Sequence, residues 1–392
     1  MLSKKRKNLW KWIVLIIMLL PLWMWLAWRF TPKRNLVIAI VDKTSMTPHG
    51  QEHLSLSWIL NHERFTLTRG RLYSVSRDYF GFFPQQNEKY RIKGLERFSS
   101  DQLEQLSRDC DLAYYTDTYG VYYNEWHADK NAEGKSQLIY GGMSAQDIEF
   151  LRLMKTKKKL VIAEFNDVAS PTPAIVRGQF EALFGIHWTG WTGRYFDSFD
   201  TSVNKELPQW LVHNYMAQHD GHWPFHKNGI AFVSLNDEVV VLEDSTHLLD
   251  PMPHILSFVY GQNQLHLPGK IKYNDWFDVM TITDTSNHAI SAYDISVNAN
   301  GMKELNKYNL PNRFPAVIMH GGNSYPFYYF CGNFTDNPIG MFTSYFKGIS
   351  FFKWTLYNKD NPNERKSFFW EFYKPLVTTI LNNYYKKLHP NG

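Results

Sequence analysis

Cysteine is scarce: two residues in 392, too few for a disulfide scaffold. Cys110 and Cys331 leave open one bridge or two separate buried thiols, and neither reading fixes a compartment. No Walker-type phosphate loop and no Gly-x-Gly-x-x-Gly fingerprint occurs, so no nucleotide cofactor, and no cofactor of any kind, is expected. Gly-x-Ser-x-Gly is missing as well, which removes a hydrolase elbow. Repeats at solenoid or propeller periods and low-complexity tracts are absent. Acidic residues are missing from residues 1–34, which hold Lys4, Lys5, Arg6, Lys7, Lys11, Arg29, Lys33 and Arg34; with the whole chain at +5, the remainder is net −3. A mildly acidic remainder lacks the basic footprint of a nucleic-acid binder, and that class is set aside.

What is present is ordinary globular composition, 44% hydrophobic and 20% charged, with a high 16% of aromatics that suit either cores or flat binding surfaces. The run Trp12–Trp28 carries no charge, and Trp10, Trp12, Trp23, Trp25 and Trp28 cluster around it. Seventeen residues at 1.5 Å each give about 26 Å, near the thickness of a bilayer core. A cleaved signal peptide would need small residues near its end, whereas Trp25 stands two before Ala27. The expectation is one uncleaved transmembrane helix with the lipid bilayer as partner. Five cations before the run against three after place the N-terminus in the cytoplasm and the domain outside.

After residues 1–34, segments 35–245 and 246–392 differ in character. Leu36–Val41 is a continuous β-branched apolar run, as in a strand buried on both faces. A helical pattern follows over Gln51–Leu60. Ser99 with Gln102, and Ser144 with Asp147, offer helix N-caps before the short strands Leu112–Tyr115 and Leu160–Ala163. Ser170-Pro-Thr-Pro173 opens a helix through Phe184, with Thr172 as cap. Strand and helix alternate, so the fold class is α/β with a doubly wound, mostly parallel sheet. Beyond it, Ile230–Ser234 and Glu238–Leu242 form a hairpin. Phe277–Thr283, Ile290–Val297, Ala316–Met319 and Phe327–Phe330 read as antiparallel additions, and Phe368–Leu388 as a docking amphipathic helix.

The helix–strand pairs ending at Tyr115–Asp117 and at Ala163–Asn166 resemble the flavodoxin-like core of the class I glutamine amidotransferase-like superfamily, over roughly Asn35 to Leu242. The closer likeness is to its non-catalytic members in bacterial envelope proteins. Active amidotransferases place a Cys in a glycine-flanked elbow after a central strand; here the stretch reads Ala163-Glu-Phe-Asn-Asp167, so the resemblance implies the fold without the activity.

In open parallel sheets ligands bind beyond the carboxyl ends of the strands. Asp42, Asp117 and Glu164, with Asn166, occupy three such ends; converging, they would form an acidic cleft able to do acid–base work, and otherwise each caps a neighbouring loop. Trp188-Thr-Gly-Trp-Thr-Gly-Arg-Tyr195 puts Trp188, Trp191, Arg194 and Tyr195 on a glycine-softened loop, either a stacking surface for sugars or a set of core plugs with Arg194 paired to Asp197 or Asp200. Trp210 and Trp223 could extend such a surface. Ser170 lacks a nucleophile elbow, and Arg177 could help a helix N-terminus hold an anion. His320 and Cys331 could pair as a thiol nucleophile, and His219, His222 and His226 could gather a metal, though Gly221 and Pro224 interrupt any helix there and no metal is expected. The functional expectation is a non-catalytic envelope binding or scaffolding domain, with a cell-envelope glycan or envelope protein as partner. The alternative is a carbohydrate-active hydrolase using Asp42, Asp117 and Glu164.

Overall fold

The computed structural model describes residues 2–127, 136–358 and 360–390, without the side chains of residues 2–9, 12, 13, 51 and 69. The first helix, α1 (Leu2–Phe30), contains the expected anchor and carries Pro21 inside it. Among the described residues no helix is long and apolar enough to cross a membrane. Trp12 and Ile13, within the expected span, have side chains outside that description. Val14, Leu15, Ile16, Ile17 and Met18 are exposed along α1, whereas Trp28 is buried against the domain.

Six strands and four helices come first, of which Phe80–Pro84, Tyr90–Lys93 and Ile186–Phe196 were not expected as strands. They are β1 (Ile38–Asp42), α2 (Leu54–His62), β2 (Phe80–Pro84), β3 (Tyr90–Lys93), α3 (Ser100–Asp109), β4 (Leu112–Asp117), α4 (Ala145–Thr156), β5 (Leu160–Glu164), α5 (Ala174–Phe184) and β6 (Ile186–Phe196). Ser99/Gln102 and Ser144/Asp147 both form reciprocal capping boxes, which satisfy the first free N–H groups of α3 and α4. Then come α6 (Gln209–Gln218), β7 (Gly229–Ser234), β8 (Val239–Glu243), β9 (His254–Ser257), β10 (Lys270–Lys272), β11 (Phe277–Ile282), β12 (Asn287–Asp294), α7 (Ala299–Lys307), β13 (Arg313–His320), β14 (Phe327–Phe330) and α8 (Lys374–Leu388).

The main sheet has ten strands in the order β10-β9-β12-β13-β14-β5-β4-β1-β2-β3. Its middle, β14-β5-β4-β1-β2, is parallel, and both flanks are antiparallel. Successive side chains of β4 show both faces covered. Tyr114 Oη lies 2.9 Å from Tyr373 Oη of the C-terminal helix, while Tyr115 Oη donates to Asp147 of α4 at 3.1 Å. The sheet is therefore doubly wound. Gly81, at φ 148°, lets β2 approach β1 so closely that a Cβ there would sit 1.6 Å from the Asp42 carbonyl oxygen.

A second, antiparallel sheet runs β8-β7-β6-β11, so strands from both sides of residue 245 share each sheet. Three expectations need correction. Trp188–Tyr195 is not a loop: it lies in β6, paired on both edges with an irregularity between Trp188 and Thr192. Its β-branched and aromatic residues extend the chain despite Gly190 and Gly193. Phe327–Phe330 joins the parallel core, aligned with Val161–Glu164, because the long connection through β6–β13 carries the chain back to the same edge. Thr172 does not cap α5; Pro173 occupies that position, and Thr172 Oγ1 donates to the Asp167 carbonyl and accepts from Met143 N–H.

Trp191 belongs to the main core, edge-to-face with Tyr308 at 5.8 Å, and is 8% exposed. It is a core plug and not a stacking platform. Trp191→Ala is expected to destabilise the fold by about 3–5 kcal/mol, read as a drop in the urea midpoint; an unchanged midpoint would return this ring to the surface.

Candidate functional site

Parallel pairing brings the carboxyl ends of β1 and β4 together, with Asp42 aligned to Asp117. Asp42 Oδ1 accepts the backbone N–H groups of Thr44 (2.9 Å) and Ser45 (3.0 Å), and its Oδ2 lies 2.5 Å from His53 Nδ1. His53 Nε2 is 2.7 Å from the Val75 carbonyl. A carbonyl only accepts, so Nε2 bears a hydrogen and one further proton is shared between Nδ1 and Asp42. Both side chains are buried. The adjacent cation, Lys43, points away from this cluster to Asp147 (2.7 Å) under α4 and leaves the cleft's acids unneutralised.

Asp117 Oδ1 accepts from Thr44 Oγ1 and from Tyr119 N–H, both at 2.6 Å, and Asn166 Nδ2 stands 3.4 Å from its Oδ2. Burial pushes this carboxyl up to about 7 against those hydrogen bonds, and the nearby charge of Asp42 adds to the rise. Glu52, in the turn just before α2, is 8% exposed, and its Oε2 has no hydrogen-bond partner among the described residues. Burial, followed by the charges of Asp336, Asp117, Asp42 and Asp275, holds it well above the carboxylate range.

Glu52, Asp117, Asn166 and Thr44 line a cleft of about 550 Å³ between the main sheet's carboxyl edge and the second sheet. Tyr119, Tyr122, Phe165, Trp188, Trp210 and Trp276 supply its rings, and Arg194 and Asn333 further polar groups. Arg194, Trp276 and Asn333 also border an adjoining cavity of about 320 Å³, which reaches Asp275, Asp336 and Arg365. At that junction Arg194 Nε and Asn333 Oδ1 are buried without partners among the described residues. Three residues of the lining, Glu52, Arg194 and Asn333, thus each carry one buried polar atom without a partner among the described residues.

Of the residues singled out in the sequence, Asp117, Asn166, Trp188 and Arg194 meet at this cleft. Asp42 sits behind it. Glu164 does not line it: its oxygens accept from Tyr114 Oη (2.5 Å), from the N–H groups of Phe334 (3.1 Å) and Thr335 (3.0 Å), and from Thr335 Oγ1 (2.8 Å). That carboxyl fastens the loop after β14, with burial raising it to about 8. Tyr195 faces the adjoining cavity, and its hydroxyl accepts from Asn228 at 3.3 Å. Arg194 pairs with Glu206 at 2.6 Å, not with Asp197 or Asp200. Arg177 lies over the Trp188 ring at 5.2 Å.

Asn166 adopts φ 66° at the turn after β5, where an amidotransferase elbow would stand, and offers an amide where that chemistry needs a thiolate. Both cysteines are free and buried, burial pushes the Cys110 thiol up to about 12, and His320 bonds Asn287 and Ser324. No Cys–His pair forms. His219 stacks on Tyr215, and among the described residues no group of three or more His, Cys, Asp or Glu is placed to hold a metal.

Glu52 and Asn333 are absent from the sequence-derived set. Asn333 lies just past β14, and reading that strand as parallel would have pointed to it by the same carboxyl-end rule as Asp42. Glu52 has a weaker signal, an acid two residues after Gly50 where the chain leaves the first strand.

No family model matches the chain, and no curated protein matches it. Among solved structures it is similar to a ThuA-like protein from Bacteroides uniformis, with 8% identity over 80% of this chain and 89% of the other at a TM-score of 0.36. A glutamine amidotransferase from Thermotoga maritima shares 7% identity over 90% and 98% of the two chains, TM-score 0.36. A carbohydrate deacetylase shares 9% identity over 76% of this chain and 30% of its own length, TM-score 0.25. At TM-scores below 0.5 these likenesses decide nothing about the site, whose chemistry follows from its own geometry.

The raised carboxyls carry a pH signature. A folded-state value above the unfolded one means the folded protein binds more protons, so this stabilisation is complete below about pH 4 and is lost as pH rises through about 7. Asp117→Asn is expected to flatten the fall in thermal midpoint between about pH 5 and about pH 8 relative to the parent chain. Parallel pH curves for the two proteins would contradict the assignment.

Proposed function

We propose that this chain is a membrane-tethered, envelope-facing binding module for glycans or similarly polyhydroxylated ligands, without amidotransferase chemistry. The observation that carries the reading is the cleft itself. Aromatic walls suit the faces of sugar rings, and Thr44, Glu52, Asn166, Arg194 and Asn333 line the same cleft with polar side chains suited to hydroxyl groups. A protonated Glu52 both donates and accepts, as a hydroxyl partner should. The exposed apolar side chains of α1 and its basic flanks support the tether, and the excess of cations before the apolar run supports an external domain.

Glu52 also supports a second reading, general-acid hydrolysis, because an unpartnered carboxyl raised by burial in an open cleft suits proton donation. One substitution separates the two. Glu52→Gln replaces a neutral carboxyl by a neutral amide; a binding module keeps its affinity within about twofold, whereas an acid catalyst loses turnover by about 10²–10⁴-fold.

Retention of the full chain on purified cell-wall polysaccharide is the direct measurement. Trp210→Ala is expected to weaken it by about tenfold or more, as for an anchoring aromatic. Failure of the parent chain to bind any glycan on an array would end the proposal. Protease added to intact cells is expected to digest the domain, and full protection would reverse the assigned orientation.

A further inference from the structure

The segment Gly340–Thr355 forms two 3-10 turns, Met341–Tyr345 and Ile349–Thr355, on the flank of α1. It exposes Phe342 (72%), Phe351 (84%) and Trp354 (71%), with Phe352 partly exposed beside them. Single exposed rings are common on protein surfaces; several on one short segment are not. The segment is held against the helix: Lys347 N–H donates to the Met24 carbonyl at 3.1 Å, and Tyr345 packs edge-to-face on Trp28 at 4.8 Å. The helix end is fixed in turn. Trp28 Nε1 donates to the Asn61 carbonyl (2.9 Å), Arg64 Nη1 donates to the carbonyls of Trp28 and Arg29, and the Arg64 guanidinium lies over the Trp28 ring.

We infer that this aromatic segment is a second membrane contact, which sinks into the headgroup–acyl boundary of the bilayer beside α1. The inference rests on the tether proposed above. Met24 lies five residues before Arg29, so its carbonyl stands about 7.5 Å down the helix from that basic end. Interfacial elements bury their apolar faces about 5–10 Å into the boundary. The depth that places Arg29 among headgroups therefore places this segment where aromatic rings partition best. Trp23, Trp25 and Phe30 of α1 are exposed as well. Lys347 and Lys353 of the same segment stand 3.6 Å from Glu63 and 3.8 Å from Glu371 and stay partly exposed, as cations at headgroup level would. With α1 docked through Trp28 and Arg64, two contacts set the tilt of the domain, where a flexible tether would set only its distance.

Depth-dependent fluorescence on the full chain in phosphatidylcholine–phosphatidylglycerol vesicles tests this. The native cysteines are both buried, so a polarity-sensitive label at Phe351→Cys or at Ile16→Cys reports one position at a time. The Phe351 label is expected to shift to the blue and to be quenched by a shallow nitroxide lipid and not by iodide. The Ile16 label, within the span, is expected to respond to a deep nitroxide. Deep quenching at Ile16 with iodide quenching at Phe351 would overturn the second contact and leave the tether standing. An iodide-shielded Phe351 label indifferent to nitroxide lipid would mean that protein, such as a second copy of the chain, covers the segment, and would also overturn it. No lipid response at Ile16 would remove the tether and this contact together.

Discussion

The alignment of Asp42 with Asp117 across two parallel strands is the constraint around which the site is arranged. Two carboxyls at neighbouring strand ends, both buried, cannot both hold a full charge without compensation. The chain resolves this unequally. Asp42 takes two backbone N–H groups and shares a proton with His53, whose far nitrogen is fixed by the Val75 carbonyl. Asp117 takes donors from Thr44 Oγ1, Tyr119 N–H and Asn166 Nδ2, none of them a histidine, and, with its pKa raised to about 7, keeps its proton over part of the neutral range. Glu52 is then held well above the carboxylate range by its burial and by the charges of Asp336, Asp117, Asp42 and Asp275.

The parallel core was legible because its strands are short unbroken apolar runs separated by capped helices. Leu36–Val41 and Leu160–Ala163 became β1 and β5, and Ser99 and Ser144 capped the helices between them. What escaped was pairing, which no local pattern encodes. Phe327–Phe330 is as apolar in a parallel place as in an antiparallel one, and only the return of the chain to the β5 edge decides. The same holds for Trp188–Tyr195: its glycines suggested a loop, but partners on both edges supply the ladder hydrogen bonds that make it a strand. Once that segment is a strand, its side chains alternate. Both Trp188 and Trp191 pack into the main core, and Trp188 also borders the cleft.

The site residues followed the same division. Strand-end acids could be named from the sequence, yet which of them would face solvent depended on loops arriving from far along the chain. Glu164 is occupied by the loop Phe334–Thr335, some 170 residues downstream. That contact takes one acid out of the cleft and, by fixing the loop, carries Asn333 into it. A residue named for chemistry thus serves position, and a residue unnoticed in sequence takes its place at the ligand.

The distribution of neutral acids bears on the choice between binding and catalysis. Hydrolysis by paired carboxyls needs one protonated and one ionised group facing the same bond across a gap of about 5–10 Å. Four acids line the cleft, Glu52, Asp117, Glu125 and Asp237; burial raises the first three, and Asp42, bonded to His53, lies behind them. In its protonated form either Glu52 or Asp117 offers hydrogen bonds of both polarities. In the turn after β5, Asn166 at φ 66° places an amide beside Asp117, a group that can orient a hydroxyl. The binding reading proposed above rests on this lining, with rings for the faces of a sugar and polar side chains for its hydroxyls.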